Sequence, residues 1–137
     1  MSSKLMRKAL PWLWLLAVAL GAAWLRYGLI ESSAIGQQCG GGHVPAWCSW
    51  RQALVLGFLY EAYGIAAVAA AALALWGQRI WLAWLAAALG LFALELYCFE
   101  AGALALLVGS LRLLRLQARM APLGKYRHGQ QQVHAQP

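Results

Sequence analysis

Acid is scarce in this chain. Of 137 residues only Glu31, Glu61, Glu95 and Glu100 are acidic, against eleven Lys and Arg. Charged residues of both signs make up 11% of the chain, where ordinary soluble domains carry about 25%. The three cysteines include no C-x-x-C pair, and there is no glycine-rich nucleotide loop, nucleophile elbow or metalloprotease helix. These absences exclude the catalytic modules that short motifs reveal, and they leave no segment that reads as a soluble catalytic domain. What is present is apolar: 63% of the residues are hydrophobic, Trp occurs eight times, and Ala and Leu fill long stretches. That composition, at this length, reads as one compact polytopic membrane bundle, an all-α protein.

The net charge of +7 does not point to nucleic acid, because the cations sit at the ends of the apolar runs. Lys4, Arg7 and Lys8 precede the first run, and Arg112, Arg115, Arg119, Lys125 and Arg127 lie at and beyond the end of the last. Charge in those places orients spanning helices and attracts anionic lipid headgroups.

Four transmembrane helices are expected. Residues 10–30 suit one crossing, with Pro11 in its first turn, where a missing N–H costs little. Residues 52–76 suit a second, and Gly77 to Arg79 a short turn. The run from Ile80 to Leu116 has 37 residues. As one helix it would be about 55 Å long, against a hydrocarbon core of roughly 30 Å. Its polar point, "ELYCFEAG" at Glu95 to Gly102, predicts a short outer helical hairpin between spans 80–96 and 100–116. Residues 31–51 form an external loop, and residues 117–137 a basic, flexible cytoplasmic tail.

Charge parity favours four spans over three. With the N-terminus inside, nine cations (Lys4, Arg7, Lys8, Arg79, Arg112, Arg115, Arg119, Lys125 and Arg127) face the cytoplasm, and only Arg26 and Arg51 lie toward the outside. Three spans would export the charged tail. Trp12, Trp14, Trp76, Trp81 and Trp84 fall near the inner boundary, and Trp24, Trp47 and Trp50 near the outer one. Cations followed by "AVALGAA", Ala17 to Ala23, can be read as a signal peptide, but the apolar run continues to Ile30 and favours an uncleaved anchor.

In this topology all four glutamates lie in the outer half. Glu61 stands out: about 15 Å along a helix from Arg51, it falls close to mid-membrane. A carboxylate there needs a partner, a proton or a polar cavity. At helical spacing Gly57, Glu61, Gly64 and Val68 share one face, so Glu61 is expected to turn into the bundle between small residues. It would serve either as an interhelical polar contact or as a proton, ion or ligand site. Arg26, Glu31, Arg51, Glu95 and Glu100 complete a mixed-charge outer cluster, which either binds a polar ligand or laces helix ends together.

Cys39 and Cys48 enclose eight residues, and Gly40 to Gly42 with Pro45 allow the chain to return. A disulfide there is the leading expectation, worth about 2–3 kcal/mol. Free or lipid-facing cysteines acting as small apolar residues are the plainer alternative. Cys98 lies in the second outer hairpin, where it is a candidate third redox thiol. Four-helix membrane oxidoreductases of the disulfide-generating and vitamin K epoxide reductase type also carry outer cysteines beside a quinone site, but through the C-x-x-C pair missing here. Cys39, His43, Cys48 and Cys98 do not form a specific zinc pattern, so no metal and no cofactor is expected.

The expected function is that of a small accessory or assembly subunit of a larger bacterial inner-membrane complex, with both termini cytoplasmic. Its partners would be membrane proteins and membrane lipids, not nucleic acid. The alternative is a membrane protein handling a lipid, quinone or polar ligand at the outer charged cluster, as a transporter subunit or a thiol–disulfide or lipid-linked enzyme.

Overall fold

The fold is that of a computed structural model, which describes residues 2–120; the remainder of the tail, with Lys125, Arg127, His128 and His134, lies outside the described residues. Every regular element in the described residues is helical. Helix α1 spans Ser2–Trp24 and runs straight into a π-helical segment, Leu25–Ile30. Then come α2 (Ser33–Gly40), α3 (Cys48–Leu59), α4 (Ala62–Trp76), α5 (Ile80–Glu95) and α6 (Phe99–Arg119).

Helix α5 lies at the centre and packs on α1, α4 and α6. The apolar run 80–116 is thus two helices, and the turn between them, 96–98, lies inside the polar point of that run. The core is built from small residues. Ala67, Ala83, Ala86, Ala87, Ala93 and Ala105 are fully buried, and no polar or charged side chain is buried among the described residues. Leu, Trp and Ile side chains such as Leu20, Trp24, Ile65, Trp76 and Leu107 stand on the outside.

Glycine makes the α5–α6 contact possible. A Cβ on Gly109 would lie 2.5 Å from the Ala87 nitrogen, and one on Gly90 2.5 Å from the Leu106 nitrogen. A Cβ on Gly102 would lie 2.7 Å from the Leu94 nitrogen. Backbone meets backbone at three levels, as where helices associate through small residues.

The long helix expected over 52–76 is broken. Helices α3 and α4 meet at 63°, and Glu61 between them is left-handed, with φ 54° and ψ 20°. No proline causes this. The Tyr63 ring folds back into the space over Gly57, where a Cβ would lie 2.5 Å from its hydroxyl oxygen, and that hydroxyl donates to the Leu54 carbonyl at 3.3 Å. The same ring stands edge-on to Phe92 of α5, with centroids 5.2 Å apart. Gly64 brings α4 against α6, its Cβ position 3.1 Å from the Ala101 methyl. Packing of Tyr63 and Gly64 sets α4 against α5 and α6 and leaves α3 turned away from them. The break takes Gly57 off the expected face; Glu61, Gly64 and Val68 still line one groove, but Glu61 is exposed rather than turned into the bundle.

Three smaller expectations also change. Helix α1 begins at Ser2, so Pro11 is inside it rather than in its first turn and withholds one helical N–H. Residues 31–51 contain α2 and the start of α3 rather than a loop alone. No glycine among the described residues has positive φ: Gly40 ends α2 and Gly41 is extended, so the return to Cys48 does not use their left-handed freedom.

Charge separates along the bundle. Lys4, Arg7, Lys8, Arg79, Arg112, Arg115 and Arg119 occupy the end where α1 starts and α6 finishes. There Trp12 donates to the Gln117 side-chain oxygen, Gln117 donates to the Lys8 carbonyl, and Trp84 donates to the Pro11 carbonyl. By length and apolar composition one continuous helix, Ser3–Ile30, qualifies as a membrane span, and the bent pair α3–α4 qualifies if taken as a single span. Helix α5 is apolar but shorter.

Candidate functional site: a charged seam at the acidic end

The π-helical segment builds the first part of the site. Residues five apart on an α-helix point about 140° away from each other. Here the turn is widened, and the Glu31 N–H donates to the Arg26 carbonyl at 2.9 Å. Arg26 and Glu31 therefore face one another, with Arg26 Nε donating to Glu31 Oε1 at 3.0 Å. Such widened turns recur at functional sites, but this one also has a plain structural result, the ion pair itself.

From there Arg26 reaches the turn after α5. It donates to the Glu95 backbone oxygen at 3.3 Å and lies 4.0 Å from the Glu95 carboxylate. Its guanidinium covers the Tyr97 ring at 4.3 Å from the centroid. Tyr97, held at φ 70°, donates its hydroxyl to the Glu31 carboxylate. The same ring packs near Phe58 of α3 and Phe99 of α6. Hydrogen bonds from Tyr97 and then Arg26 hold the Glu31 carboxyl below its ordinary pKa. The bond to Glu31 and partial burial push the Tyr97 phenol up.

Arg51 approaches the same segment from α3 and pairs with backbone rather than a glutamate. It donates to the carbonyls of Leu29 at 3.2 Å and Ile30 at 3.1 Å, which end the π-helical segment. Arg112 repeats this at the other end of the molecule, donating to Ala74 and Gly77 at 3.1 and 3.2 Å and to Leu75 at 3.3 Å, where α4 ends. Together with Arg26 on the end of α5, three arginines each cap a neighbouring helix at its carbonyl end. The last carbonyls of a helix lack intrahelical donors and carry the negative end of its dipole, so a cation is favourable there.

Glu61 and Glu100 do not join this seam. They line a groove of about 750 Å³ beside it, shared with Gly64, Tyr97 and Cys98. Neither forms an ion pair within the described residues. Glu100 sits in the first turn of α6, where a negative charge suits the helix dipole. Cys98 is a free, half-buried thiol beside Gly64.

Cys39 and Cys48 are joined in a disulfide, with Cα atoms 5.7 Å apart. It ties the end of α2 to the start of α3 and lines a second groove with Arg51 and Gly36. The disulfide and the free thiol therefore line different grooves. Oxidised sulfurs are not thiolate ligands, and among the described residues no group of three or more His, Cys, Asp or Glu is placed to hold a metal ion.

No protein family, curated protein or solved structure matches this chain.

Of the six charges singled out in the sequence, Arg26, Glu31, Arg51 and Glu95 converge on the seam, and Glu61 and Glu100 on the groove. Tyr97, the residue linking the two, had no signal beyond its place in the polar point of the run 80–116. Arg112 was legible only as a boundary charge. The seam fastens helix ends. The groove offers two carboxylates and a thiol on an apolar wall.

Proposed function

We propose that this chain is a four-pass integral membrane protein acting as a non-enzymatic accessory or assembly subunit of a larger bacterial inner-membrane complex. The basic end faces the cytoplasm, with both termini there, and α2 lies at the outer surface. The bent pair α3–α4 makes the second pass, and α3 angles along the interface with Trp47 and Trp50.

One observation carries the subunit reading: of the six charges that could have formed an outer ligand site, Arg26, Glu31, Arg51 and Glu95 are engaged in holding helix ends together. The membrane reading is supported by a core mostly of Ala and Gly, with Leu15, Leu96, Leu113 and Leu116, inside an exterior where most of the Leu and Trp side chains are exposed. Seven described cations at the basic end against Arg26 and Arg51 at the other support the orientation.

Helix α1 packs on α5 along one side and leaves Leu13, Leu16, Leu20 and Trp24 open. That face is where a partner's helix would lie. Photo-crosslinkers at Leu13 and Leu20, compared with Leu107 and Leu111 on α6, test this in native membranes. The subunit reading expects one discrete protein adduct from α1 that is missing from α6. Lipid adducts alone at all four positions would sink it, and release of the chain by alkaline carbonate would sink the membrane reading.

The groove of Glu61 and Glu100 favours a second reading, a site for a polar or cationic ligand. Glu61→Gln and Glu100→Gln variants that assemble normally but lose function would support it over the first.

A further inference from the structure

Lys4, Arg7 and Lys8 are spaced i, i+3, i+4 on α1 and share one face. They line a groove of about 510 Å³ with Ile80 of α5 and with Gln117 and Met120 at the end of α6. Two electrostatic effects oppose this placement. Like charges at these spacings repel. They also occupy the first turns of a helix, its positive end, which holds no acidic residue. No counterion comes from within the described residues, because all four glutamates lie at the opposite end of the bundle.

The groove is nonetheless held in shape. The Gln117 side chain donates to the Lys8 carbonyl at 3.1 Å and accepts from Trp12 at 3.3 Å, pinning α1 to α6. Ile80 and Met120 give it an apolar wall. The orientation tendency of cations asks only that they lie at this end, as Arg79, Arg115 and Arg119 also do. It does not ask for three on one face against an apolar wall.

We infer that this groove binds a phosphate group, with the Arg7 guanidinium as planar fork, Lys4 and Lys8 as point charges, and Ile80 and Met120 against apolar chain. An anion there offsets both the mutual repulsion and the helix dipole. The apolar wall suits an anionic phospholipid headgroup, a source that rests on the membrane reading above; free phosphate is the other source.

The test is native mass spectrometry of the detergent-solubilised full chain with equal phosphatidylglycerol and phosphatidylcholine. A second arm titrates inorganic phosphate alone. Near an anionic surface each basic residue is worth about fivefold in affinity, so K4Q/R7Q/K8Q should lose roughly a hundredfold. R79Q/R115Q/R119Q removes equal charge from the same end outside the groove: a general surface attraction predicts the same loss for it, and the groove predicts a far smaller one. Retention of the Cys39–Cys48 bridge and of helical circular dichroism certifies both variants; if the first fails to fold, Arg7→Gln alone should lose about fivefold. Selective retention of phosphatidylglycerol, lost only in the groove variant, assigns a lipid headgroup. Saturable inorganic phosphate without lipid selectivity assigns free phosphate. Equal losses in the two triple variants, or no binding of either probe, overturn the inference. Carbonate extraction separately scores the membrane reading, and the phosphate titration still tests the groove if that reading fails.

Discussion

Replacing Gly109 with alanine puts a methyl group where the backbone of α5 already is. Its Cβ would stand 2.5 Å from the Ala87 nitrogen and 2.9 Å from both the Ala83 oxygen and the Ala87 Cα, where ordinary contact begins at 3.4 Å. All three atoms are backbone, so no rotamer relieves the clash and the helices must part by roughly 1 Å. Overpacking of this kind costs about 1–3 kcal/mol, and the rigidity of both partners places it near the upper value. Alanine also recovers about 1 kcal/mol of helix propensity. The net expectation is a loss of about 2 kcal/mol. Gly21 on α1 is the internal control, because a Cβ there meets nothing within 4 Å. Gly21→Ala should gain up to about 1 kcal/mol, so one substitution changes sign between two helices. Unfolding by SDS titration, followed by circular dichroism in mild detergent with the disulfide intact, measures both. Equal stabilities for the two variants would refute close backbone packing of α5 on α6.

Four further outcomes are expected. Glu61→Gly should stabilise the fold by about 1 kcal/mol, since glycine removes the left-handed strain at φ 54°; a loss in the same SDS titration would mean that its carboxylate is engaged. Arg112→Met leaves the carbonyls at the end of α4 without their donor and should cost about 1–3 kcal/mol, with Arg112→Lys recovering part, as read by thermal unfolding. The Glu31 carboxyl is lowered by Tyr97 and Arg26, so its stabilisation is present above its unfolded value of 4.5 and is lost as pH falls through the lower folded value. Unfolding followed between pH 6 and 3 should therefore show an acid-dependent loss that Glu31→Gln abolishes. Reduction of Cys39–Cys48, or the double serine variant, should cost about 2–3 kcal/mol, and hydrogen exchange should rise in α2 and α3 before α5.

Much of the helical architecture was open to sequence reasoning, because unbroken apolar runs admit little else. The turn at 96–98 was legible from length, since one 37-residue helix has no economical place to lie. Proximity of Cys39 and Cys48 was legible from their spacing. The break at Glu61 was not, because nothing in "FLYEAYG" forbids a helix. It arises from Tyr63 filling the space over Gly57 while meeting Phe92, a residue 29 positions away.

The arginine caps were hidden for a related reason. A helix-end carbonyl has no letter in the sequence, so the partners of Arg26, Arg51 and Arg112 emerge only once helices are side by side. Composition and periodicity by themselves determined helices, short turns and cations gathered at the run ends, because these follow from backbone hydrogen bonding and the distribution of charge. Tertiary structure decided where one long helix breaks, which charges are spent on helix ends, and which pair of glutamates is left facing a groove. Those outcomes depend on contacts between residues far apart in the chain, whose energies no local window contains.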